Sequence, residues 1–197
     1  RAFRRQWVKT HALEPGVRRV PAPDTYRVDT DNMGEWLAAR VSEQIRDMER
    51  HGQGLAAFVA DSLFSSDGIF AHDTGILEPV VKVVHDAGGI FVADEVQCGF
   101  ARTGSHMWGY QRHGLVPDII SLGKPMGNGY PVAGIAVRPG VVSDFGHDMR
   151  YFNTFGGNSV AMAAANATLE VVQGENLIEN ARQVGDILLS GLRDLMR

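Results

Sequence analysis

Three short apolar runs constrain this chain more than any other feature: "LAAFVAD" at 55–61, "GIFVADEV" at 89–96 and "DIISLG" at 118–123. Each has the length of a strand. Near-continuous hydrophobicity in place of polar–apolar alternation predicts strands covered on both faces. The intervening stretches are long enough for crossovers, so the runs are expected to pair in parallel with right-handed connections. A fourth run, "PVAGIAVR" at 131–138, follows the third after residues 124–130 alone. A parallel crossover takes about a dozen residues or more, so this strand is expected to run antiparallel. The fold class is therefore α/β: a mostly parallel sheet covered by helices, with an antiparallel last strand.

Helices are read from period and punctuation. From Met33 the apolar positions Trp36, Leu37, Val41, Ile45 and Met48 keep helical spacing up to Gly52, which can close a helix in a left-handed conformation. The stretch from Leu77 to Ala87 is helical, with Pro79 tolerable in its first turn and Gly88–Gly89 as its stop. A loop and short helix are expected over 99–116. "VAMAAANATLEVV" at 160–172 and a run through Leu177, Ala181, Val184, Leu188, Leu192 and Leu195 read as two helices broken near Gly174. Residues 1–31, rich in Arg, Pro and Asp, read as an extended segment with no core of its own.

Composition excludes several classes of function. With 197 residues, 44% of them hydrophobic, the chain can bury one sizeable core. A net charge of -4 supplies no basic footprint for nucleic acid, and no apolar run approaches the length needed to cross a membrane. Cys98 is the single cysteine, which excludes an internal disulfide framework and fits a cytoplasmic, reducing setting. The histidines show no metal-ligand spacing, so no metal site is expected.

Two of the strand runs end on a charge: Asp94 in the second, Lys124 just after the third. Both are expected on the carboxyl rim of a parallel sheet, where open α/β sheets bind ligands. A structural ion pair or two solvated strand ends would account for either residue alone. The loop "GKPMGNG" adds three glycines, an Asn and a Pro around the lysine, allowing close backbone approach to a ligand. It has neither the glycine pattern of a P-loop nor a G-x-G-x-x-G after the first strand. A lysine that can be deprotonated for covalent chemistry, beside a carboxylate that can keep a heteroaromatic nitrogen protonated, points to pyridoxal phosphate.

"VADEVQCGFARTG", "PDIISLGKPMGNGYPVAG" and "YFNTFGGNSVAMAAANATLEVV" together resemble the class III aminotransferases, fold type I pyridoxal phosphate enzymes. Within that family the wording is most similar to the branch holding alanine–glyoxylate aminotransferase-like proteins and ethanolamine-phosphate phospho-lyases. The resemblance implies that Lys124 is the Schiff-base lysine and proton shuttle, and that Asp94 is the partner of the pyridinium nitrogen. It implies that Val96 packs on the ring face and Gln97 reaches the ring's phenolic oxygen. It also implies that Thr154 reaches the cofactor phosphate of a neighbouring subunit in a homodimer with shared sites. A plain helix cap is the alternative for Thr154. Glu95 and Arg102 are placed to pair and pin the loop after the strand.

Four positions depart from the family's wording. Ala101 stands for a usual glycine and Ser159 for a usual proline, both read as conservative for a loop, Asp61 stands for a usual glutamate, and Ser66 falls where γ-aminobutyrate- and ornithine-type enzymes carry a gating glutamate. The family's upstream phosphate loop and downstream small domain are not found. Residues 32–172 are thus expected to be part of the cofactor-binding large domain, and 173–197 the start of the small one. The implied activity is amino transfer from an amine or amino acid to a keto acid or aldehyde. The alternatives are phospho-elimination from an amino-alcohol phosphate and a truncated remnant without turnover.

Overall fold

The computed structural model describes residues 14–71 and 74–197. Helix α1 (Met33–Arg50) precedes strand β1 (Ala57–Asp61), and α2 (Glu78–Asp86) leads into β2 (Ile90–Asp94). A 3-10 turn at Gly109–His113 precedes β3 (Ile119–Leu122), and a second at Lys124–Gly127 separates β3 from β4 (Gly134–Val137). Helices α3 (Pro139–Asp148), α4 (Ser159–Gly174) and α5 (Leu177–Leu195) complete the described chain. The sheet order is β1-β2-β3-β4; the first two pairings are parallel and β3–β4 is antiparallel, as the spacing requires.

Local chemistry sets the helix ends. Asn32 caps α1 by accepting the Glu35 N–H at 3.1 Å. At the other end Gly52, at φ 72°, turns the chain so that its N–H meets the Glu49 carbonyl and the Gln53 N–H that of Met48. Gly88, at φ 79°, closes α2 in the same way: its N–H meets the His85 carbonyl, and the Gly89 N–H meets that of Val84. These paired bonds form the Schellman arrangement, which glycine adopts without a Cβ penalty. Pro79 sits in the first turn of α2, where its missing N–H costs nothing.

The core lies on one face of the sheet. Leu37 and Val41 of α1 and Val80 and Val84 of α2 pack with Phe91 and Ala93 of β2. Asp118, just before β3, ties the lower end of this layer, accepting from the Phe91 N–H and from His85 and Arg138 side chains. Burial opposes its ionisation, but those donors outweigh burial and hold the carboxyl below its usual range.

Among the described residues the helices cover one face of the sheet. Val59 and Ile135 are 61% and 70% exposed, and by alternation and register both lie on the face opposite the core. Helices α1 and α2 both pack on the core face, so these strand residues lack cover among the described residues. Helix α3 was not anticipated. Pro139 in its first turn is a start signal, and Val141, Val142 and Phe145 give it a short apolar stripe, but none of its residues is buried. The α4–α5 break falls just after Gly174, where Asn176 takes φ 51°. No residue of α5 is buried, and Ile187, Leu188 and Leu195 are exposed. Residues 14–31 contain no helix or strand, and residues 1–13 of the expected N-terminal segment lie outside the described residues.

Phe91 is fully buried at the centre of this layer. Phe91→Ala is expected to lower the unfolding free energy by about 3–5 kcal/mol, measured by urea titration. A loss below about 1 kcal/mol would mean that the helix–sheet layer does not carry the fold.

Candidate functional site

Register builds the site. Asp94 of β2 lies opposite Ser121 of β3, and both share the sheet face that α1 and α2 leave open. The Ser121 hydroxyl donates to Asp94 Oδ1 at 3.1 Å, and the Val96 N–H donates to the same oxygen at 3.0 Å. One oxygen therefore fixes the carboxylate, and the other, Oδ2, has no hydrogen-bond partner among the described residues.

Three residues beyond Ser121 the chain turns sharply. Lys124 has φ 37° and Asn128 φ 46°, both left-handed conformations that are costly for residues with a Cβ. The single 3-10 turn between them is held by Met126 N–H to the Gly123 carbonyl and Asn128 N–H to that of Pro125. Helix α4 packs against this turn. Strain of this kind persists where surrounding structure fixes it, commonly at ligand sites. Val96, Gln97, Arg102 and Lys124 line one open pocket of about 430 Å³, together with Pro125, Asn128 and Gly129. Three of the five residues singled out in the sequence thus share a pocket; Asp94 does not line it but accepts the N–H of Val96, which does.

Thr154 is not in that pocket. It lies in the exposed loop between α3 and α4, inside a turn in which Asn153 Oδ1 accepts the Gly156 N–H at 2.8 Å. Nor does it cap α4: Asn158 does, accepting the Ala161 N–H at 2.9 Å. The pairing of Glu95 with Arg102 is also corrected. Alternation turns Glu95 away from the pocket and into the core side, fully buried. There Oε1 accepts from Ser62 Oγ at 2.9 Å and the Tyr110 N–H at 2.8 Å, and Oε2 accepts from the Gly109 N–H at 2.6 Å. Arg102 lines the pocket instead. Asp61, at the end of β1, accepts the Leu63 and Ser65 N–H groups of the turn that follows it, so it is committed to its own loop. Ala101, where the family usually has glycine, takes φ 66°, which makes that substitution strained and not neutral.

The residues that sequence reasoning missed are Ser121 and the cluster around Glu95. A serine in the otherwise apolar "IISL" was the available signal for the first. His113 completes the second: its Nδ1 accepts the Gly75 N–H at 3.1 Å, and its Nε2 donates to the Ser62 carbonyl at 2.9 Å. Those bonds assign the neutral Nε2–H tautomer. Burial pushes the imidazole pKa down, reinforced by Arg112 and partly offset by the Ser62 carbonyl and Glu95. Among the described residues there is no cluster of His, Cys, Asp and Glu suited to a metal ion, and no helix long and apolar enough to cross a membrane.

Comparison with known proteins converges on one family. The family model described as Aminotransferase class-III matches residues 4–197. An alanine–glyoxylate aminotransferase 2-like protein of Drosophila melanogaster is 40% identical, over 88% of this chain and 37% of its own length. An ethanolamine-phosphate phospho-lyase homologue of Caenorhabditis elegans is 36% identical, over 92% of this chain and 42% of its own. Among solved structures, a phospholyase from Arthrobacter in complex with phosphoethanolamine superposes with a TM-score of 0.85 at 36% identity, covering 94% of this chain and 45% of that one. A thermostable omega transaminase from Pseudomonas jessenii gives 0.83 at 30% identity, covering 94% and 43%. The chain spans about two-fifths of the length of the curated relatives it matches.

The depressed His113 pKa has a consequence for stability. Below the ordinary imidazole range, near pH ~6.5, the unfolded chain takes up a proton that the folded chain refuses. Stability from this group is therefore complete above that range and is lost as pH falls from it toward the folded value. Thermal melts of the wild type are expected to drop between pH 7 and 5 by more than those of His113→Leu, compared as slopes. Equal slopes would show that His113 is not buried neutral.

Proposed function

The chain belongs to the class III aminotransferase family, whose members are pyridoxal phosphate-dependent enzymes, and on that premise we propose that Lys124 and Asp94 form the cofactor-holding rim of an aminotransferase. The reaction is exchange of an amino group between an amine or amino acid and a keto acid or aldehyde. The observation that carries this reading is the half-satisfied Asp94 carboxylate, fixed through Oδ1 beside the Lys124 pocket with Oδ2 unpaired among the described residues.

These residues fit the group. Pyridoxal phosphate supplies an aldehyde for covalent capture of an amine and a ring that draws electrons from the substrate α-carbon when its nitrogen is protonated. Asp94 would hold that proton, and the Ser121 hydroxyl and Val96 N–H keep its carboxylate oriented. Val96 would pack on the ring face, and the Gln97 amide would donate to the phenolic oxygen. Lys124 Nζ would hold the cofactor and move the proton at the substrate α-carbon. Its strained backbone sets the direction in which the side chain leaves the rim. Thr154, exposed and away from its own pocket, would reach the phosphate of the cofactor in a second copy, so the active unit is a homodimer with shared sites. We place residues 32–172 in the large domain and 173–197 at the opening of the small one, in a cytoplasmic enzyme.

Phospho-elimination from an amino-alcohol phosphate is the second reading. The likeness to a phospholyase solved with phosphoethanolamine favours it. The two reactions differ in stoichiometry: amino transfer needs an acceptor, and elimination releases phosphate without one.

Asp94→Asn in the cofactor-loaded protein is expected to leave the fold intact and lower turnover by on the order of 100-fold or more, the scale of losing one preorganised electrostatic contact. Near-normal turnover would remove Asp94 from the site. Keto-product formation that depends on an amino acceptor is expected; acceptor-independent phosphate release from ethanolamine phosphate would replace amino transfer with elimination.

A further inference from the structure

A buried carboxylate outside the proposed chemistry is the unexplained feature of this fold. Glu95 follows Asp94 directly, yet alternation sends it to the opposite side of the sheet, where it is 0% exposed. Its acceptors gather three donors from two distant segments: Ser62 after β1, and Gly109 and Tyr110 at the 3-10 turn. Its backbone adds two further ties. The Glu95 N–H donates to the carbonyl of Ser121, the residue whose hydroxyl holds Asp94, and the Glu95 carbonyl accepts the Gly99 N–H. One residue therefore joins the end of β3, the loop bearing Val96 and Gln97, and the turn at 109–110.

The loop it closes is strained. Phe100 and Ala101 have φ 56° and 66°. The Ala101 N–H reaches the Met107 carbonyl, and Phe100 meets Trp108 edge-on at 5.1 Å. Such conformations persist only when neighbours over-determine them. The Glu95 carboxylate is the buried anchor at the turn beside Trp108, and losing it would leave two backbone N–H groups without acceptors in a dry interior.

We propose that Glu95 is a positioning residue: by pinning the Gly109–Tyr110 turn and Ser62 it holds the 96–102 loop in the conformation that presents Val96, Gln97 and Arg102 to the Lys124 pocket. This rests on the reading of that pocket as a cofactor site. It predicts that weakening the staple loosens cofactor binding by more than its effect on overall stability accounts for.

Cys98, the single cysteine, is a built-in reporter. It is fully buried, its thiol donates to the Asp94 carbonyl, and a Cβ at Gly109 would stand 2.8 Å from its sulfur, so the pinned turn lies directly over it. The test compares wild type, Glu95→Gln, Ser62→Ala and Val84→Ala, the last a core truncation outside the pocket, at matched degrees of unfolding free-energy loss. In the cofactor-free protein, thiol labelling of Cys98 is expected to accelerate about tenfold or more in Glu95→Gln, less in Ser62→Ala, and not in Val84→Ala. Because burial and, after it, the Glu95 carboxylate hold the Cys98 thiol pKa up, Ser62→Ala, which leaves that charge in place, is the variant that reads loop opening. In the loaded protein, the pyridoxal phosphate Kd is expected to rise about tenfold and the visible circular dichroism of the bound cofactor to fall, in the same order. If Glu95→Gln does not fold, Ser62→Ala against Val84→Ala decides by the same readouts. Labelling, Kd and dichroism in the staple variants that match Val84→Ala would overturn the proposal. So would faster labelling with unchanged Kd and dichroism, since the loop would then move without consequence for the cofactor. A wild-type protein that retains no pyridoxal phosphate would instead overturn the cofactor reading, while the labelling arm still decides whether Glu95 holds the loop.

Discussion

Everything proposed for this site depends on one parallel register, Asp94 against Ser121. It places a hydroxyl donor on one oxygen of a carboxylate at the strand end, and it fixes how far beyond the rim the following lysine emerges. Because β2 alternates, the same register commits Glu95 to the core side, where its carboxylate gathers the return segment of the loop. Two adjacent acids thus have opposite tasks, one toward the ligand side and one toward the interior. A slip of one residue would exchange them and put each carboxylate where it has no partner. The buried apolar layer of α1, α2 and β2 holds that register against slippage.

The elements were legible in the sequence where a single local cause sets them. Gly52 and Gly88 stop their helices as read, Pro79 falls in a first turn, and the short link after β3 forces β4 to turn back. Asp94 and Lys124 were legible as rim residues for the same reason: strand ends can be counted. Partnerships across the fold were not. Glu95 and Arg102 lie on one loop and carry opposite charges, which suggested a pair; the side on which Glu95 falls is set by strand alternation, and its real donors lie at Ser62, Gly109 and Tyr110. Thr154 was placed by motif wording alone, and the structure removes only the alternative that it caps α4. The hydrophobic runs announced two covered faces, but the covering residues must come from elsewhere in space, and no local pattern says from where.

The open face and the bare apolar side chains of α5 belong to the same account. Val59, Ile135, Ile187 and Leu188 expose apolar area of the kind that marks contact surfaces. The relatives matched here are more than twice as long as the matched span. In the proposed reading these surfaces lie against the rest of a large domain, a small domain and a second subunit. The strained turn at Lys124 sits at the meeting of that open face with α4, where a cofactor would be enclosed once such cover is present.

The central claim is that Lys124 holds the cofactor, and the chain contains three lysines against which to test it: Lys9, Lys82 and Lys124. Lys82 is tied to Asp86 on the exposed side of α2. Borohydride reduction of the protein loaded with pyridoxal phosphate, followed by peptide mapping, reads the attachment directly. The account predicts stoichiometric pyridoxyl label on the peptide containing Lys124 and none above background on the other two. Label on Lys9 or Lys82 at comparable yield, with Lys124 unmodified, would contradict it.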